Sequence, residues 1–225
     1  MPVASRPRRG PAARPGAPRG KRGRYHHGDL RRALLDAALA VLTEADARAL
    51  TLREVARRAG VTHAAPYRHF TDKDALLAAV AEEGFRTLIE VMKEEMGRAS
   101  ADPVEQLEAL GVGYVRFALA HPAHFEVMFG PELPWRQEEC TPLHDAADAT
   151  FGLLVASVQA AQTAGKLRGD QPLPFALLCW STVHGLATLL VHGNFKHVED
   201  QLPPSPEALA RQMTRDLTRG MRTSG

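Results

Sequence analysis

The 225-residue chain is poor in cysteine: Cys140 and Cys179 are its only two, so no disulfide framework supports it and a reducing interior suits it. A phosphate-binding glycine loop, a nucleophile elbow and a dinucleotide fingerprint are all missing, so neither a catalytic residue nor a cofactor is expected. His121 and His124 stand three apart with Glu138, Cys140 and His144 downstream. The tight ligand spacing of zinc sites is absent, and no metal is expected. No apolar segment follows the arginines near the start, which argues against a secretory signal. The one long apolar run, Phe175 to Val191, is short for a membrane span and contains Ser181, Thr182, His184, Gly185 and Thr188. The expectation is a buried helix in a cytoplasmic protein with no membrane partner. Sustained apolar–polar alternation is also lacking, which points away from a sheet-based fold.

Acidic residues are absent from residues 1–24, which hold eight Lys/Arg. Residues 25–74 hold eight basic and seven acidic groups, leaving 12 basic and 19 acidic for the remainder. The chain is therefore basic at its N-terminal third and acidic beyond it, as expected when only one end meets a polyanion. Residues 1–24 are Arg-, Pro-, Gly- and Ala-rich with almost nothing to bury, and they are expected to be a disordered basic arm. Such an arm strengthens phosphate contact without specificity, and its Arg-Gly-Arg flavour also suits a minor groove.

The stretch Thr51–Phe70, TLREVARRAGVTHAAPYRHF, reads as two helices joined by a tight turn. Thr51 is an N-cap, with Glu54 placed to complete a capping box. Leu52, Val55, Ala56 and Ala59 recur at helical spacing, and Gly60 supplies the left-handed residue that ends the helix. Thr62 caps a second helix running to Phe70. Pro66 inside it removes the bond to the Thr62 carbonyl, which predicts a local kink or a 3₁₀ start. Helix, turn and helix over about 20 residues is the geometry that seats a second helix in the DNA major groove.

Before this stretch, Leu30, Ala33, Leu34, Ala37, Ala38, Val41 and Leu42 form one apolar helical stripe. After it, capped helices are predicted from Thr71-Asp72 to about Arg98, Asp102 to Ala120, His121 to Phe129, Thr141 to Ala164, Pro172 to Asn194 and Ser205 to Arg222. The fold predicted is all-α with about nine helices. It divides into the arm, a three-helix head over residues 25–74 and a larger bundle over 75–225.

From Tyr25 to about Phe85 the chain resembles the TetR/AcrR family of transcriptional regulators. The resemblance rests on Thr51-Leu52-Arg53-Glu54-Val55-Ala56, Ala59-Gly60-Val61-Thr62, Pro66-Tyr67-Arg68-His69-Phe70 and Asp72-Lys73-Asp74. Ala65-Pro66 departs from the pair usual before that tyrosine. Further on, Trp180-Ser181-Thr182-Val183-His184-Gly185 is similar to the Trp-x-x-x-His-Gly element of one C-terminal subtype, as is His121-Pro122-Ala123-His124-Phe125. The resemblance implies a homodimer that binds a double-stranded DNA operator, usually as a repressor, and is released by a small, largely apolar effector. A helical binding protein or enzyme with a basic nucleic-acid tether is the alternative.

Tyr67, His69 and Lys73 match positions that contact the operator in that family, Lys73 as a phosphate clamp. Arg53, Thr62 and His63 join them as candidates because they sit on the exposed faces of the two helices. His69 also reads as a partly buried core histidine. Arg57, Arg58 and Arg68 read as groups that keep the face solvated. For an effector pocket the candidates are Phe117, Phe125, Met128, Phe129, Trp135, Phe151, Cys179, Trp180 and His184, each of which taken alone is as well explained by core packing.

Overall fold

The protein is described by a computed structural model covering residues 27–45, 47–133 and 141–223. The basic arm 1–24, Trp135 and Cys140 lie outside the described residues. Eight α-helices follow in order: α1 His27–Glu44, α2 Leu52–Arg58, α3 Lys73–Arg98, α4 Pro103–Ala120, α5 Pro122–Phe129, α6 Thr141–Thr163, α7 Pro172–Val191 and α8 Pro206–Met221. Among the described residues the only β-type pairing is an isolated bridge, Leu167 to Arg222.

The ninth helix expected, Thr62 to Phe70, is a turn with a 3₁₀ segment at Pro66–Arg68. Pro66 is the cause. Having no N–H, it cannot close an α-turn onto Thr62, whose carbonyl accepts instead from Ala65 N at 2.9 Å. The next bonds are also i→i−3, Arg68 N to Ala65 O and His69 N to Pro66 O, before Phe70 N returns to Pro66 O at 2.9 Å. Thr62 therefore opens a tight turn where a helix cap was expected.

The first half of the motif forms as its residues dictate. Thr51 accepts from Glu54 N at 3.1 Å. The reciprocal half of the box is absent, because Glu54 turns its carboxylate to Arg57. Gly60, at φ +68°, closes α2 with Val61 N on Ala56 O and its own N–H on Arg57 O. Asp72, not Thr71, caps α3 by accepting from Ala75 N at 2.8 Å. Leu34, Leu35, Ala38, Leu50, Val55, Phe70, Leu76 and Leu77 are all buried and make the head's core.

At 26 residues, α3 spans about 39 Å and belongs to both halves. Its first turns complete the head, and the rest packs on α4, α5 and α6. The body is built around α4, which also meets α7 and α8 and buries Val115, Phe117 and Ala118 completely. Where α3 and α4 cross, a Cβ on Gly113 would come within 2.9 Å of the Met92 Cα, so no side chain fits there. Below the crossing, Glu95 is buried and holds Arg98 at 2.6 Å, with Arg116 and Arg211 on its other sides. Gly113→Ala must push the two backbones apart. It is expected to destabilise by about 1–3 kcal/mol, read as a lowered urea midpoint at unchanged m-value.

Candidate DNA-reading face and internal cavity

On the head, α2 and the Pro66 turn present their polar groups outward. Arg53, Thr62 and His63 are exposed, and Tyr67 is 56% exposed. Lys73 is half-buried in the first turn of α3. His69 is half-buried against Phe70, and its Nε2 is covered without a hydrogen-bond partner. This corresponds to the core reading of that histidine, with its outward reach confined to the ring edge.

The arginines of this face fall into two groups. Arg57 grips Glu54 through two bonds of 2.8 and 2.6 Å, and Arg58 grips Glu44. These hydrogen bonds hold both carboxyls below the usual glutamate range. Arg53 and Arg68 make no ion pair among the described residues, so their charge stands toward solvent. Behind the turn, the Arg31 guanidinium lies 5.7 Å from the Phe70 ring centre, adding a further cation beside it.

Within the body a cavity of about 470 Å³ lies between α3, α4, α6, α7 and α8. Of the residues expected there, Phe129, Phe151, Cys179 and Trp180 line it. Phe117, Phe125 and Met128 do not: all three are packed into the core, Phe117 and Met128 with no exposed surface. His184 stands behind the wall, where its Nδ1 meets the Tyr114 hydroxyl at 2.8 Å. It acts there as a satisfied packing group beside Phe125 and Phe129. Burial pushes His184 below its ordinary value, so it is neutral at pH 7, and pushes the Cys179 thiol up to about 11.

The sequence reading missed the α4 contribution, Glu108, Gly111 and Tyr114, together with Asp148 and Thr150 on α6 and Thr214 and Thr218 on α8. One signal was available. Glu108, Gly111 and Tyr114 recur every three residues along one face of α4, among buried Leu107, Leu110 and Val115, where a carboxylate and a phenol need a reason.

Two family models match the chain. The model for bacterial regulatory proteins of the tetR family covers residues 34–80, and that for the tetracyclin repressor-like C-terminal domain covers 107–217. A protein of unknown function from Rhodococcus sp. RHA1 has a solved structure with a TM-score of 0.76 at 35% identity, over 89% of this chain and all of that one. The chain belongs to the TetR family. Two curated relatives align with about a third of the chain. An uncharacterized HTH-type transcriptional regulator of Haemophilus influenzae is 42% identical over 72 residues, 32% of this chain and 35% of that protein. The HTH-type transcriptional regulator BetI of Rhizobium meliloti is 36% identical over 83 residues, 36% of this chain and 39% of that protein. The chain thus matches little more than a third of the length of these curated relatives. In this TetR-family protein one matched stretch holds the exposed face and the other most of the cavity wall, while α3 adds Phe85, Leu88 and Met92 from between them.

Polar contacts tie the two parts together. Arg32 of α1 pairs with Glu83 of α3 at 2.9 Å, and Arg48 reaches Glu132 beyond α5 at 3.3 Å. His124 of α5 is buried 3.8 Å from Glu83, with its Nε2 otherwise unpartnered. Burial pushes this imidazole below its ordinary value of 6.5, opposed by Glu83 and reinforced by His121 and Arg32. As pH falls through that ordinary value, the unfolded chain takes up a proton before the folded one does. The stability due to neutral His124 is present above it and is lost as pH drops toward the folded value. The melting temperature should fall between pH 7.5 and 5.5, and His124→Leu should show a smaller fall in the same scans.

Proposed function

We propose that this protein is a ligand-responsive regulator that binds a specific DNA operator as a homodimer, acting as a repressor that a small molecule releases. The observation that carries this reading is α3. It begins with Lys73 at the exposed face and, three turns later, supplies Phe85, Leu88 and Met92 to the cavity wall. A ligand that refills the cavity must move this helix, and with it the angle of the head. Two heads have to meet half-sites about 34 Å apart, so a modest tilt removes much of the affinity. The ligand acts only through its difference in affinity for the two arrangements.

A second copy of the chain is supported by α7. Leu173, Leu177, Leu178 and Leu189 are 40–51% exposed along one side of it. A helix this apolar with so much surface uncovered is half of an interface. We place α7 and α8 against their symmetry mates as a four-helix contact. The Trp180 to Gly185 element supports assigning the body to the Trp-x-x-x-His-Gly subtype.

On the face, Tyr67, Thr62 and His63 are placed for base edges and Arg53 for a base or a phosphate. Lys73 serves as a phosphate clamp, and His69 positions the turn. A mobility-shift titration with the protein's own upstream DNA tests this. Tyr67→Ala and Arg53→Ala should each weaken the specific complex by about tenfold. Arg57→Ala, which loses a side chain already held by Glu54, should change it less. A protein that merely tethers itself to nucleic acid gives the opposite pattern, binding all sequences alike and losing that binding when residues 1–24 are deleted.

A further inference from the structure

The polar groups around the cavity have an uneven donor–acceptor balance. The hydroxyl donors on its wall are already engaged within the protein. Thr150 donates to the Ala146 carbonyl at 2.8 Å, and Thr214 to the Arg211 carbonyl at 3.2 Å. Thr218 donates to Glu108 Oε1 at 2.6 Å. The Tyr114 hydroxyl lies 2.8 Å from His184 Nδ1, a bond that occupies the phenol. The neutral donors left on the wall are the Trp180 indole N–H and the thiol of Cys179, the second a weak one.

Acceptors remain. Asp148 on α6 and Glu108 on α4 both border the cavity, and no lysine, arginine or histidine does. Asp148 has no ion pair among the described residues. Glu108 is mostly buried, and its nearest cation is Arg215, 3.8 Å away on the outer side of α8. That arginine lines a separate crevice with Arg211, Arg219 and Arg222, which Glu108 borders from its other side, and none of the four arginines lines the cavity. The remaining wall is aromatic and aliphatic, with Phe85, Tyr114, Phe129, Phe151 and Trp180 offering ring faces that attract positive charge.

We infer that the cavity takes an apolar molecule ending in a protonated amine, with the body among the aromatic rings and the ammonium between Asp148 and Glu108. A carboxylate or phosphate of the same size meets two like charges and no cationic side chain, and is rejected on both counts. This deepens the proposed function and rests on the cavity being its effector site.

Three probes of one shape separate the possibilities: phenylbutylamine, phenylbutanol and phenylbutyrate, titrated into the full-length protein at pH 7 by calorimetry and tryptophan quenching. The amine should bind at least tenfold more tightly than the carboxylate, with the alcohol between them. Asp148→Asn, an exposed change that spares the fold, should weaken the amine about tenfold and leave the alcohol unchanged. Glu108→Gln should act in the same direction. The inference is overturned if phenylbutyrate binds as tightly as the amine, or if both carboxylate substitutions leave amine affinity intact. Binding by none of the three overturns the effector-site reading beneath it, a result distinct from binding with the wrong charge preference.

Discussion

The structure depends on the crossing of α3 and α4. At Gly113 the two backbones approach so closely that a single methyl group has no room. Such a crossing cannot absorb motion by compressing side chains, because nothing soft lies between the helices. It works as a fulcrum. On one side of it α3 is part of the head's core through Leu76 and Leu77, and on the other Glu95 locks it to α4 and α8 through Arg116 and Arg211. Under the proposed function, displacement of the cavity wall at Phe85 or Leu88 would be carried along α3 to Lys73 and turn the head.

The head shows how charge can be present without being available. Sequence places four arginines in and around the motif at 53, 57, 58 and 68, and spacing alone cannot rank them. The fold ranks them by giving two of them carboxylate partners, Glu54 one turn away and Glu44 on another helix. These exposed pairs add little stability. Their consequence is that two side chains are already engaged, which leaves Arg53 and Arg68 as the unpaired cations of this face among the described residues.

What the sequence disclosed and what it hid follow from the range of the interactions involved. Caps and helix ends are local, so Thr51, Gly60, Ser205 and the ends of α3 to α8 were legible within a residue or two, except that α7 stops at Val191, three residues short of the expected Asn194. The all-α fold and the family followed from those signals and the Gly-Val-Thr turn. The reading segment was harder. Pro66 was seen to cost one bond, but whether the chain would resume an α-helix beyond it depends on burying both Pro66 and Phe70 in the head, which is tertiary. The cavity was least legible. Aromatic residues mark a core and a pocket equally well, and only the packing of α5 separates buried Phe125 and Met128 from Phe129 on the wall. The spacing of Glu108 and Tyr114 does not by itself place them at a cavity, because only the packing of α4 against α6, α7 and α8 turns their face toward it.

The helix α7 has two faces with different obligations. Cys179, Trp180 and Val183 look into the cavity, while Leu173, Leu178 and Leu189 look out, and Leu177 touches both. In the proposed dimer, one rigid element therefore reports to two equilibria, occupancy of the cavity and association of protomers. Thermodynamic reciprocity then applies: if filling the cavity alters how well two copies adhere, the copies' adherence alters how tightly the cavity is filled, by the same factor. The concentration of small molecule needed for a response would then be no fixed property of the chain. It would vary with how many copies of the protein the cell holds, so that the abundance of the sensor sets its own threshold.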